Sequence, residues 1–346
     1  MFKEPNNRKG GHGERLSHAR SIVRQENNAY REMERMENLE LMLTWRSKKI
    51  NEGNNGVILE VDLSKPLLIE NKERPINNRI IEAEPHKMIV GKILKIYSAG
   101  MGRREFEMQK MAREAIGRNE FVRVPRAFFS KRLMIADNEF RKFLRSVGID
   151  TAGQRTNVDM IAMEKVKGKD LDHFAYEQFI LAYAAEPQFS GQCPAKSWPE
   201  YFKTANKREL RNYILDKLDL PISNLADVAV REGLRGRNLL PTGAYAGMKA
   251  AIRSLHRAGL YHRDLHAGNI MIEQRPEGDA KQNKLCLIDF GTAKAVDPKI
   301  KGKKNEAEIY DGRMLDEGVL EFIGALTDEA EPPSLTEVLR RIDEEF

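Results

Sequence analysis

The run Tyr261-His262-Arg263-Asp264-Leu265-His266-Ala267-Gly268-Asn269, followed further along by Ile288-Asp289-Phe290-Gly291, decides how this chain is read. One carboxylate, Asp264, is placed to orient or deprotonate an attacking hydroxyl. An amide oxygen five residues on, from Asn269, and a second carboxylate, Asp289, are the hard oxygen donors that magnesium takes when it bridges nucleotide phosphates. Each run is flanked by apolar, strand-like residues, as a site built on the ends of strands requires.

The residues leading into the first run predict a helix over about Thr242–Ala258. Tyr245, Met248, Ile252 and Leu255 fall on its apolar face, and Gly259 is its stop signal. A short strand pair is expected at Ile270–Ile272 and Leu285–Ile288. Two last helices are expected at about Met314–Leu326 and Ser334–Glu345, the second opened by the capping arrangement Ser334-x-x-Glu337. N-terminal to these, Val57, Leu59 and Val61 alternate with Ile58, Glu60 and Asp62, a strand signature. Met88–Tyr97, Val122–Phe129 and Val158–Met163 are further strand candidates, and a helix should run from about Arg103 to Ile116, ended by Gly117. Strands first and helices afterwards argue an α+β chain of two lobes. The expected organisation is a polar, basic N-terminal tail and helix (1–49), a β-rich lobe (50–166) and a mostly helical lobe (167–346) with an insert at about 172–240.

Composition fits a globular protein with a core: 346 residues, 41% apolar and 32% charged. No apolar run approaches the ~18 residues of a spanning helix, and no secretory signal is visible at Met1–Asn6. The two cysteines, Cys193 and Cys286, are far apart and show neither disulfide nor zinc spacing, which suits a reducing, cytoplasmic setting. The net charge of +6 is a small excess of 58 basic over 52 acidic residues. A nucleotide pocket and a basic tail account for it. The basic residues are not interleaved with aromatics, which argues against nucleic acid as a partner.

The form H-R-D-x-x-x-x-N followed by D-F-G resembles the protein-kinase superfamily. That resemblance implies a small β-rich lobe and a truncated helical lobe, with ATP and Mg2+ as cofactors. It implies Asp264 as catalytic base and Asn269 and Asp289 as metal ligands. Asn51-Glu52-Gly53-Asn54-Asn55-Gly56-Val57-Ile58 is similar to the glycine-rich phosphate-covering loop, with Gly53, Gly56 and Ile58 at the matching positions and Asn51 in place of the first glycine. Lys95 resembles the strand lysine that grips the α and β phosphates, with Lys92 as competitor. Its helix partner would be Glu105, or else Glu107. Met163-Glu164-Lys165-Val166-x-Gly168-x-Asp170 is similar to the hinge, with Glu164 and Val166 offering backbone to adenine and Asp170 reaching the ribose.

At His266 the loop departs from serine/threonine kinases, which usually carry lysine there, and looks like aminoglycoside-type phosphotransferases. Arg263 points the other way. His266 either contacts the γ-phosphate or braces the loop, and His262 reads as packing beneath it. Asp311 or Asp316 is a candidate tie between the following helix and the loop. No A-P-E follows Gly291. The resemblance is to compact kinases such as bacterial effector kinases delivered into host cells, and implies a protein serine or threonine acceptor. An activating protein or a polyanion is then a candidate partner of the basic tail and the insert. A small-molecule phosphotransferase and a nucleotide-binding pseudokinase are the alternatives.

Overall fold

A computed structural model describes residues 39–53, 56–61, 68–69, 72–73, 89–93, 100–151, 156–191, 193–221, 224–273, 283–296, 316–327 and 331–345. The fold is mixed α+β, and the chain divides into two compact units, 1–106 with 127–165 and 107–126 with 166–346. Among the described residues no helix is long and apolar enough to cross a membrane. The expected N-terminal helix lies outside the described residues except for its last part.

The first unit is built on one antiparallel sheet. Its strands are β1 (Ser47–Gly53), β2 (Gly56–Val61), β5 (Ile89–Ile93), β7 (Ala127–Met134) and β8 (Asn157–Glu164), in the order β1-β2-β5-β8-β7; a two-residue pair, β3 (Leu68–Ile69) with β4 (Lys72–Glu73), stands apart. Alternation makes the face: Val57, Leu59 and Val61 are fully buried on β2, and Phe129, Leu133, Val158, Met160 and Ala162 continue the layer on β7 and β8. Helix α1 (Leu39–Arg46) adds Leu39 and Leu43, and α3 (Asn138–Ser146) adds Phe140 and Leu144 to the same core. Burying each such side chain stabilises by roughly 1.5–3 kcal/mol. The sequence reading had no helix at α3, although Asp137 caps it by accepting from the Glu139 amide.

Helix α2 (Met101–Ile116) begins where Asp159 of β8 accepts from the amides of Gly100 and Gly102, both at 3.1 Å. A Cβ on Gly102 would stand 2.7 Å from the Asp159 Cβ, so the capping carboxylate approaches only because residue 102 has no side chain. The expected single strand Val122–Phe129 is two. Pro125, which has no N–H to give a ladder, separates β6 (Val122–Arg123) from β7, and the two strands join different sheets.

In the second unit β6, β12 (Lys284–Leu287), β11 (Ile270–Glu273) and β9 (Lys169–Asp170) form a sheet in that order, β6 running parallel to β12 and the other pairs antiparallel. Around it pack α4 (Leu171–Tyr183), α5 (Trp198–Thr204), α6 (Lys207–Leu218), α7 (Leu225–Leu234), α8 (Ala244–Arg257), α9 (residues 316–327) and α10 (Leu335–Glu345). In α8 the buried stripe is Ala244, Gly247, Met248, Ala251, Ile252 and Leu255. Tyr245, expected on that face, is exposed instead. The stripe turns toward Phe121, whose ring lies where a Cβ on Gly247 would sit.

Candidate active site

Helix α8 stops at Gly259, whose φ of +71° is the left-handed turn that ends it. The chain then enters β10 (Leu260–Tyr261), which pairs with β13 (Lys294–Ala295). The path out of the second motif therefore runs back along the path into the first. Val296 N donates to Gly259 O at 2.7 Å and closes that return. Between the strands, Arg263 takes φ +65°. A left-handed conformation in an arginine costs on the order of 1–2 kcal/mol. Leu265, buried, pins the middle of the loop to the core.

His262 is 3% exposed, and its Nε2 donates to the Ile288 carbonyl at 3.0 Å. Its ring packs on Phe290 at 4.7 Å, and Thr292 Oγ1 donates to its carbonyl at 3.1 Å. Burial holds the imidazole below its ordinary pKa, against the opposing pull of the Ile288 carbonyl and of Asp289 and Asp264. It is a neutral strut joining the two motifs.

The site itself rests on one ladder. Ile270 pairs with Leu287, and one residue back Ile288 N donates to Asn269 O at 3.0 Å. Asn269, 8% exposed, donates from Nδ2 to the Asp264 carbonyl at 2.7 Å and to Asp264 Oδ2 at 3.3 Å. The nitrogen end of the amide is spent on Asp264, so the end available to a cation is the oxygen. Asp289 follows directly on Ile288 with φ +61°, and its Oδ1 accepts from Gly291 N at 3.3 Å. Asn269 is thus bonded to Asp264 and stands on backbone adjoining Ile288-Asp289. An amide oxygen and one carboxylate fit a magnesium ion that completes its shell with waters and substrate phosphate oxygens. Among the described residues no three His, Cys, Asp or Glu side chains form a group that could hold a metal ion.

His266 caps the short turn Ala267–Asn269. Its Nδ1 accepts from Gly268 N at 3.1 Å, and Nε2 faces Asp264 Oδ1 at 3.8 Å. The ring braces the loop while it flanks the candidate base. Asp316 lies on α9 and is buried. Its Oδ2 lies 2.8 Å from His256 Nε2, and the His256 ring stacks on Tyr261. The tie therefore runs from α9 to the end of α8. Asp311 lies outside the described residues.

Asp170 caps α4 by accepting from the His173 amide at 2.9 Å and pairs in the sheet with Met271. Gly168 permits this: a Cβ there would lie 1.9 Å from the Ile272 carbonyl oxygen. Lys207, the first residue of α6, sets its Nζ 3.1 Å from Asp172 Oδ2 and 3.8 Å from Asp170 Oδ1. Burial raises the Asp172 pKa, and Lys207 works against that rise. A cavity of about 210 Å³ opens beside Ala267, lined by Asp172, Tyr176, Asp227, Arg231 and Phe322 among others. There Asp227 takes bonds from the Tyr176 hydroxyl and, at 2.9 Å, from Arg211. Neither Lys207 nor this cavity was legible in the sequence. The run Asn206-x-x-Glu209 marks a helix start but says nothing of what the helix faces.

In the first unit, Gly53 and Gly56 close the β1–β2 ladder, and Ile58 pairs with Lys92 of β5. Glu105 is 2% exposed on α2, whereas Glu107 is half-buried. Lys95 lies outside the described residues. Glu164 ends β8, Lys165 pairs with Glu60, and Val166 begins the second unit half-buried.

Residues 241–309, which hold both motifs, match the ABC1 atypical kinase-like domain. That segment is similar to a kinase-like domain. No curated protein matches it.

Proposed function

We propose that this kinase-like chain is an active, ATP- and Mg2+-dependent kinase that transfers the γ-phosphate to a hydroxyl, with serine or threonine of a protein as acceptor. The observation that supports the reading is the ladder joining Asn269 to Ile288, because it sets Asn269, which bonds to Asp264, on backbone adjoining Asp289. Asp264 orients the acceptor hydroxyl and takes its proton as the new O–P bond forms and the bond to the bridging oxygen breaks. Asn269 and Asp289 hold magnesium, whose chemistry is to neutralise the phosphate oxygens. Lys95 grips the α and β phosphates, with Glu105 as its partner, and Gly53, Gly56 and Ile58 cover them. The Glu164 carbonyl and Val166 amide take adenine, and Asp170 the ribose. His266 holds the loop in register. Most of the barrier reduction comes from positioning and electrostatics.

Protein phosphorylation is favoured over a small acceptor by Arg263 and by the hinge-like run Met163–Gly168. The 210 Å³ cavity beside Ala267, with carboxylates Asp172 and Asp227 in its wall, favours the second reading, a small polyhydroxylated acceptor. We place the protein in the cytoplasm, its own or that of a host cell, with an activating protein or a polyanion as further partner. The test is incubation with labelled ATP and panels of proteins, sugars and aminoglycosides, comparing native protein with Asp289→Ala. Magnesium-dependent label transfer by the native protein alone is expected. ATP binding with no transfer to any acceptor, to itself or to water would make the chain a pseudokinase and overturn the reading.

A further inference from the structure

Lysine is electrostatically misplaced at the first position of a helix, where the dipole already presents positive charge. Lys207 occupies that position in α6, and the helix start is fixed. Asn206 accepts from the Glu209 amide at 3.0 Å, and Glu209 accepts from the Asn206 amide at 2.9 Å, a reciprocal capping box. The misplaced charge is turned onto the catalytic loop. A Cβ on Gly268 would stand 3.1 Å from the Lys207 Nζ, so the ammonium lies against backbone that has no side chain to keep it away. Gly268 directly precedes the metal donor Asn269 and shares its turn with His266. Asp172 and Asp170 hold the ammonium there, yet the lysine side chain keeps 43% of its surface exposed, and so can accept a further anionic contact. A local rule is broken where the proposed chemistry sits, the pattern expected of a functional residue.

We propose that Lys207, reaching in from the helical insert, is the cation that meets the transferred phosphoryl group at the catalytic loop. The inference rests on the kinase reading above and adds to it a cation carried by the helical insert rather than by the loop. During transfer the acceptor oxygen binds phosphorus, the bond to the bridging oxygen breaks with its electron pair leaving on the nucleoside diphosphate, and the hydroxyl proton passes to Asp264. Lys207 keeps its proton throughout, and its ammonium offsets the charge on the equatorial oxygens. Asp172 is then a positioning residue that sets where the ammonium stands.

The experiment compares Lys207→Gln and Lys207→Arg with native protein. The Gln variant is expected to lose about 10- to 100-fold in kcat, less than a fully enclosed donor because this lysine is half-open to water, with KM for ATP changed by no more than about threefold. The Arg variant should recover most of the loss. Affinity for ADP alone should be unchanged, while that for ADP with aluminium fluoride falls by the same factor as kcat. Native kcat in the Gln variant, equal losses in Gln and Arg, or equal weakening of both nucleotide complexes would overturn the proposal. If the Gln variant does not fold, Asp172→Asn decides. It keeps the ammonium but removes its nearest tether, so a kcat drop of about threefold or more is expected, and native kcat would sink the idea. A native protein with no phosphoryl transfer removes the kinase reading and this proposal with it; native turnover beside an indifferent Lys207→Gln removes the proposal alone.

Discussion

Asn269→Ala separates the structural and the chemical work of a single side chain. Truncation deletes the 2.7 Å bond to the Asp264 carbonyl and the 3.3 Å bond to its carboxylate. It does so at a position 8% exposed, where water replaces the lost partner poorly. The Asp264 carbonyl loses its partner at a cost of about 1–3 kcal/mol, while the carboxylate, on a side chain 41% exposed, is rehydrated, so a stability loss of roughly 1–3 kcal/mol is expected in denaturant titration. Turnover should fall further than that loss explains, on the order of 10²- to 10³-fold, because a cation ligand goes as well. The deciding assay is the magnesium dependence of turnover at saturating nucleotide. Native protein should saturate at a lower magnesium concentration than the variant, with the midpoint moved up by at least about tenfold. A variant that is destabilised as calculated yet keeps the native magnesium midpoint would refute Asn269 as a ligand and leave it as a loop brace.

Gly168→Ala is expected to destabilise by about 3 kcal/mol or more in the same titration, since the new methyl meets the Ile272 carbonyl oxygen at 1.9 Å and backbone must move; a neutral or stabilising result would mean that β9 is not seated on β11 as described. For His262, burial favours the uncharged ring in the folded state, so the unfolded chain takes up the extra proton first. Its contribution is complete above the ordinary histidine pKa of about 6.5 and is lost as pH falls below it, with a slope of at most about 1.4 kcal/mol per pH unit. Ring nitrogen chemical shifts should report an Nε2-protonated imidazole that takes up its second proton at lower pH than a free histidine, and uptake at or above the free value would contradict the strut.

The candidate residues stood out because their motifs are local in sequence: Asp264, Asn269 and Asp289 lie in loops and a turn beside the short strands β10, β11 and β12, whose apolar residues announce them. The β2 alternation and the α8 stop at Gly259 were legible for the same reason. What escaped the sequence depends on contacts between distant residues. Tyr245 has the spacing of a core residue, yet Phe121 draws the stripe of α8 to its small residues instead. The run Val122–Phe129 reads as one strand because its apolar character is continuous, whereas Pro125 divides it between sheets. Helix α3 is short and mostly polar, and its buried side is marked by Phe140 and Leu144. Lys207 carries no local signal at all, since its partners stand on α4 and on the loop.

The link from Asn269 to both oxygen-bearing groups of Asp264 makes the proposed metal arm and the proposed proton-accepting arm one mechanical part. Changes at the two positions should be strongly non-additive, with the double variant little worse than the poorer single one. Such a unit resists piecemeal tuning. A lineage or an engineer seeking a new acceptor has more freedom in the outlying helices, where Lys207, Asp172 and the cavity wall are carried by separate elements that can drift one at a time.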